Sequence, residues 1–161
     1  MYLSSENIEQ KFKVIASIIT SAGALPFITV SLFVIFSENY NFLLFPIIIY
    51  SGLIICFVCG ANWMIILSGA TKSKSVTLKN YLIFIFNSLI PILLSGGIIL
   101  NEGLNKGEYN FAFAGLLLIS LLIFDIIFFF NNMIEAWWFK LRIFGSMLSG
   151  VSLIGINLIL I

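Results

Sequence analysis

Asp125 is the one ionisable side chain set well inside a long apolar stretch, and it is the first residue that asks for chemistry. A carboxylate in hydrocarbon has to be neutralised, paired or put to use, because an isolated buried charge is too costly to keep. Asp125 lies six residues before Asn131, where polar sequence resumes, so it sits about 9 Å deep at 1.5 Å of helix rise per residue. The same counting brings Asn62, with Trp63 beside it, and Asn87 to the same level from two other apolar stretches. Arg142 enters the last stretch from the same side, with Trp137 one turn before it. Asn62, Trp63, Asn87, Asp125, Trp137 and Arg142 are therefore the candidate ligand-binding residues, lining one layer in one half of the membrane. Such a layer could hold a lipid head group, a quinone or another small ligand, or carry protons. The plainer reading is an ion pair of Asp125 with Arg142 or Lys140 that fixes the bundle.

Other chemistry is poorly supplied. The chain has no histidine, which removes histidine acid–base catalysis, histidine haem ligation and His-rich zinc sites. Its two cysteines, Cys56 and Cys59, form a C-x-x-C, but in mid-helix and in hydrocarbon. The reactive version of that motif stands at the N-terminus of a soluble helix, so here the pair reads as two small apolar side chains. Serines are plentiful but have no base beside them, and Glu135 could join Asp125 as an acidic pair only by folding inward. Neither G-x-x-x-x-G-K-[S/T] nor G-x-G-x-x-G occurs. No catalytic residue, metal site or cofactor is indicated.

The elements that must position these groups follow from composition. Of 161 residues, 61% are hydrophobic and 9% charged, and the mean hydropathy is +1.15. A water-soluble domain carries about 25% charge, and intrinsic disorder needs the opposite balance. A net charge of +1 without a basic stripe excludes nucleic acid as a partner. What is left is an all-α integral membrane protein. A crossing takes about 20 apolar residues, and five runs qualify, at about 14–36, 43–69, 80–100, 110–130 and 141–161. Residues 1–161 then form a single membrane domain, a five-transmembrane-helix bundle. The runs lack the alternation of membrane β-strands. The first run is too long for the apolar part of a signal peptide and reads as an anchor.

Basic residues orient the bundle. Lys11, Lys13, Lys72, Lys74, Lys79, Lys140 and Arg142 fall on one side and Lys106 alone on the other, which places the N-terminus in the cytoplasm and the C-terminus outside. Tyr81, Trp137 and Trp138 fit the inner interface, Tyr40 and Tyr109 the outer one. Ahead of the first run, Ile8, Phe12 and Ile15 share a face behind Ser5, as either a short interfacial helix or the start of the span. Small residues mark expected helix contacts: Gly52, Cys56 and Gly60; Ser95, Gly96 and Gly97; Gly145, Ser146, Ser149, Gly150 and Ser152. Pro26 and Pro91 lie mid-membrane, where each removes a backbone donor and is expected to kink its helix.

An ordered set of segments resembles one known family. Ser21-Ala22-Gly23-Ala24-Leu25-Pro26-Phe27 is similar to its G-L-I-P-F segment. The stretch from Tyr50-Ser51-Gly52 to Cys59-Gly60-Ala61-Asn62-Trp63 is similar to its Y-G-x-x-I-L-S-F-x-G-G-x-H-W. Ser88-Leu89-Ile90-Pro91 resembles its V-x-P-S, and Asp125 followed by Trp137-Trp138-Phe139-Lys140-Leu141-Arg142 resembles its D…P-x-W-Y-x-x-L-R. The family is the bacterial domain-of-unknown-function family 3429, with eukaryotic relatives called transmembrane protein sixty-nine. The resemblance implies a multi-span inner-membrane protein and no established activity. The chain departs from the pattern at Asn62, where the family has histidine, at Cys59, where it has glycine, and near Glu135-Ala136, where its proline is missing. The tryptophan-rich sensory proteins of TspO type are a more distant resemblance, sharing five helices and length.

The expected function is that of a small multi-pass protein of a bacterial inner membrane that acts by interaction, as an assembly factor or accessory subunit. The alternative is a lipid or small-molecule binding protein or transporter using the polar layer. The expected partners are the lipid bilayer and either other membrane proteins or a small hydrophobic ligand.

Overall fold

A chain that buries its backbone in hydrocarbon must satisfy every N–H and C=O internally, and the helix does this within one segment. The computed structural model describes residues 5–37, 39–72, 82–83, 85–104 and 110–161, and all its regular elements are helical. These are α1 (Ser5–Phe36), α2 (Asn41–Lys72), a π-helical turn (Ile85–Leu89) that leads into α3 (Ile90–Leu104), α4 (Phe111–Ser120), α5 (Leu122–Phe130) and α6 (Ala136–Leu160). Five stretches are long and apolar enough to cross a membrane: Gln10–Phe36, Asn41–Leu67, Ile85–Leu104, Phe111–Phe130 and Ala136–Leu160.

The helices outrun the apolar runs. α1 begins at Ser5 rather than 14, so the residues ahead of the first span continue its helix. α6 begins at Ala136 rather than 141, after Glu135 in extended conformation (φ −80°, ψ 154°). Hydropathy marks where side chains become polar, but a helix goes on while amphipathic Trp and Lys reach toward the interface. The start of the third run, 80–81, lies outside the described residues, as does Tyr81.

The spans form a ring. α6 packs along both α1 and the α4–α5 span, and α2 packs along α3 and the π-helical turn. Lighter contacts of α2 with α1, and of α4 with α2 and α3, close the ring. Phe27, Ile48, Ile55, Phe111, Leu118, Leu153 and Ile156 fill the interior. The outside is apolar as well, with Leu93 73% and Phe130 78% exposed, the surface of a chain solvated by lipid.

Only part of the small-residue pattern makes close contacts. A Cβ on Gly150 would stand 2.9 Å from the Gly115 carbonyl oxygen, and one on Gly115 would stand 2.6 Å from that of Gly150. This backbone-to-backbone crossing fixes α4 against α6. Gly145 lies against Thr20 of α1, and Gly52 against Ile99 of α3. The expected stripe of Gly52, Cys56 and Gly60 is not a single seam: Cys56 is exposed and Gly60 has open space beside it, as do Gly96 and Gly97.

The two prolines act differently. α1 runs through Pro26 as one α-helix, with the Thr29 hydroxyl donating to the Pro26 carbonyl at 3.0 Å. Ahead of Pro91 the backbone widens into the π-helical turn. Pro91 has no N–H for the Asn87 carbonyl, and its ring crowds that carbonyl, so the turn opens. In the fourth span the helix breaks at Leu121, where the Ser120 hydroxyl takes the Leu117 carbonyl at 2.7 Å. Serine back-bonding of this kind slackens a helix, here one turn ahead of Asp125.

Candidate functional site

Four spans send one polar side chain each into a buried network. Arg142 of α6 donates from Nε to both oxygens of Asp125 of α5, at 3.3 and 3.2 Å. Its Nη2 lies 3.2 Å from Asp125 Oδ2 and donates to Asn62 Oδ1 of α2 at 3.3 Å. Asn62 Nδ2 in turn donates to Asn87 Oδ1, in the π-helical turn, at 3.2 Å. Asp125, Asn62 and Asn87 are 0% exposed and Arg142 is 7% exposed. The guanidinium and carboxylate neutralise one another, which burial requires. Asn62 extends the pair by accepting from the cation and donating onward, as an amide can. The network ends on unmet groups: Asn87 Nδ2 and the neighbouring Ser88 hydroxyl are buried without partners among the described residues.

Local backbone explains the convergence. The slackened helix at Ser120–Leu121 precedes Asp125, the π-helical turn holds Asn87, and the Gly115–Gly150 crossing brings α6 close enough to the fourth span for Arg142 to reach the carboxylate. Lys140 is exposed, and the buried partner of Asp125 is Arg142. Glu135 is also exposed, and accepts from Trp137 Nε1 at 2.6 Å.

A cleft of about 290 Å³ opens beside this network between α1, α2 and α6. Arg142 and Trp138 line it together with Tyr50, Phe57, Gly23 and Ser149. Tyr50 is anchored by a hydrogen bond from its hydroxyl to the Gly23 carbonyl at 3.0 Å, and its ring lies 5.2 Å from that of Phe27. Among the described residues, Trp138 Nε1 is buried without an acceptor.

The six residues singled out by spacing thus divide. Asn62, Asn87, Asp125 and Arg142 meet. Trp63 is 48% exposed on the outside of α2. Trp137 belongs to an aromatic group at the start of α6, edge-on to Phe12 and Trp138, with Lys13 Nζ 5.7 Å from its ring centroid. The indole at the cleft is Trp138, which spacing assigns only to the aromatic belt. Glu102, which falls in a polar connecting stretch of the sequence, is 2% exposed. Its Oε1 accepts the Asn110 N–H at 2.8 Å, ahead of the Asn110 side chain that caps α4. Its signal in the sequence is a carboxylate shortly before a helix N-terminus. Cys56 and Cys59 are free thiols, one exposed and one buried, and among the described residues no three His, Cys, Asp or Glu stand together as metal ligands.

Fold and site together define a class: an all-helical protein with five membrane-length stretches, four of them tied by a buried Asp–Arg–Asn–Asn network beside a cleft. The chain belongs to the family described as protein of unknown function (DUF3429), whose model matches residues 13–158. No curated protein and no solved structure matches it.

Proposed function

We propose that this chain is a membrane-embedded binding protein that takes a small hydrophobic molecule with a polar end from the hydrocarbon between α1 and α2. The cleft beside Arg142 carries the reading. Its volume of about 290 Å³ is near the lower end of the range for small-molecule sites, about 300–1,000 Å³. Its walls are mostly apolar, and the buried Trp138 N–H is left without an acceptor. Unlike the unmet Asn87 amide, this donor belongs to a residue that lines the cleft, where a bound acceptor would satisfy it. The Asp125–Arg142 pair holds the polar end of the site, and the bilayer is both solvent and source of the ligand. In this reading the protein sits in a bacterial inner membrane, with its N-terminus cytoplasmic and the site in the inner half.

Native mass spectrometry on protein extracted in mild detergent tests the reading. The wild type is expected to carry a small-molecule adduct, or to acquire one from a total lipid extract, and Ala61→Phe, which fills the cleft, is expected to carry none. A wild type that stays bare after exposure to the extract overturns it.

A second reading, an accessory subunit or assembly factor, draws on Gly60, Gly96, Gly97 and Gly155, each with open space where a Cβ would sit. Another membrane helix can approach closely at such positions. Under that reading Gly97→Leu removes a co-purifying partner and leaves the adduct in place.

A further inference from the structure

We infer that the cleft takes an uncharged, planar ring carbonyl compound on a hydrocarbon tail, the chemistry of a lipoquinone. This deepens the binding reading above and rests on it. Hydrogen bonding sets the first condition. Arg142 spends Nε and Nη2 on Asp125 and Asn62, and among the described residues its Nη1 makes no hydrogen bond. Trp138 Nε1 is unmet as well. Both groups are donors only, whereas both Asp125 oxygens and Asn62 Oδ1 already accept from Arg142. These unmet donors therefore call for an acceptor on the polar end of the occupant.

Charge sets the second condition. Among the described residues lining the cleft, Arg142 is the one charged at neutral pH, and Asp125 already cancels it. A bound carboxylate or phosphate would leave a net negative charge in a low-dielectric site, at the cost that keeps unpaired charges out of membranes. A carbonyl oxygen can accept from a donor of this kind and adds no charge.

Shape sets the third. Tyr50, Phe57 and Trp138 give the cleft aromatic walls, and Tyr50 is held rigid by its bond to Gly23 and by Phe27. Flat walls favour a flat ring. The volume of about 290 Å³, at the lower end of small-molecule sites of about 300–1,000 Å³, leaves room for one ring and the start of one chain. The rest of the tail leaves past Ile19 and Phe57, which are 58% and 66% exposed.

Isothermal titration of the purified full chain in detergent micelles tests this with three probes. Decylbenzoquinone has the ring carbonyls, sodium decanoate has a similar tail with an anionic end, and dioctanoylglycerol has uncharged ester carbonyls without a ring. The quinone is expected to bind saturably and at least tenfold more tightly than either of the others. Trp138→Phe keeps the aromatic wall and removes the donor, and it is expected to weaken the quinone about fivefold, as loss of one hydrogen bond does, leaving decanoate unchanged. Ala61→Phe is expected to abolish binding of all three. Decanoate or dioctanoylglycerol binding as tightly as the quinone overturns the assignment while the binding reading stands, and so does a Trp138→Phe chain that folds and keeps full quinone affinity. If no probe binds the wild type, the binding reading falls with it.

Discussion

Arg142 is the only cation in the buried network, and its contacts with Asp125 and Asn62 set conditions on two other helices. Removing Asp125 would leave a guanidinium in the interior without its counter-charge, and removing Arg142 would strand a carboxylate. Breaking such a pair from one side costs about 3–5 kcal/mol, whereas replacing both partners with apolar groups of similar volume is close to neutral. Asp125→Leu and Arg142→Leu are therefore each expected to lower unfolding stability in detergent by about that amount, and the double variant by much less than their sum. Additive losses in this double-mutant cycle would show that the two residues act independently. Asn62→Leu removes one acceptor of the cation and is expected to cost about 1–3 kcal/mol. Much of this network is legible in the sequence, for a simple reason. Helix rise is fixed, so counting from the ends of apolar runs sets depth, and Asp125, Asn62, Asn87 and Arg142 do share one level. Direction around the axis is not legible. Trp63 follows Asn62, and Trp138 follows Trp137, by about 100° of rotation, and in a helix apolar on all sides nothing in the sequence says which direction is the interior.

At the scale of the elements, close approach and local breaks decide what meets. The Gly115–Gly150 crossing leaves no room for a methyl group, because the obstruction is a backbone oxygen at 2.6 Å and not a side chain that can turn away. Gly115→Ala must push α4 from α6, and over-packing of this kind costs about 1–3 kcal/mol. It also draws Asp125 away from Arg142. Gly96→Ala is the matched control: it meets open space, and alanine favours a helix over glycine by about 0.5–1 kcal/mol. Thermal unfolding of the two variants is expected to move in opposite directions, down for Gly115→Ala and unchanged or up for Gly96→Ala. A Gly115→Ala chain as stable as wild type would mean that the spans are not in close contact there. The sequence points to Gly150 as one of several small residues but not to Gly115, which stands alone among Ala114, Leu116 and Leu117. A tight crossing needs one small residue on each helix, and only one of the two belongs to a visible series. The π-helical turn is hidden for a related reason: Pro91 announces a disturbance, but neighbouring helices decide whether it becomes a bend or a widened turn.

For the whole molecule, the number of spans follows from hydropathy, since each crossing needs its own run of about 20 apolar residues. The ring order does not, because lipid and protein interior select the same residue types. Orientation rests on the basic residues, and the fold alters that count. Arg142 is buried against Asp125, so it belongs to the interior and not to the interface. Counted along the sequence, Lys11, Lys13, Lys72, Lys74, Lys79 and Lys140 still fall in the segments expected on one side, against Lys106 in those expected on the other. The proposed N-terminus-inside topology rests on that bias, read by the positive-inside rule. The expected labelling pattern follows. In a chain with Cys56 and Cys59 replaced by alanine, a single cysteine at position 106 should react with a membrane-impermeant maleimide on intact cells. A single cysteine at position 74 should react only after the membrane is opened. The reverse pattern would turn the bundle over and move the cleft beside Arg142 into the outer half. Its chemistry would be the same, but its ligand would then be drawn from the outer leaflet. Labelling at both positions on intact cells would show that the connections are not separated by a membrane, and the five-span arrangement itself would have to be abandoned.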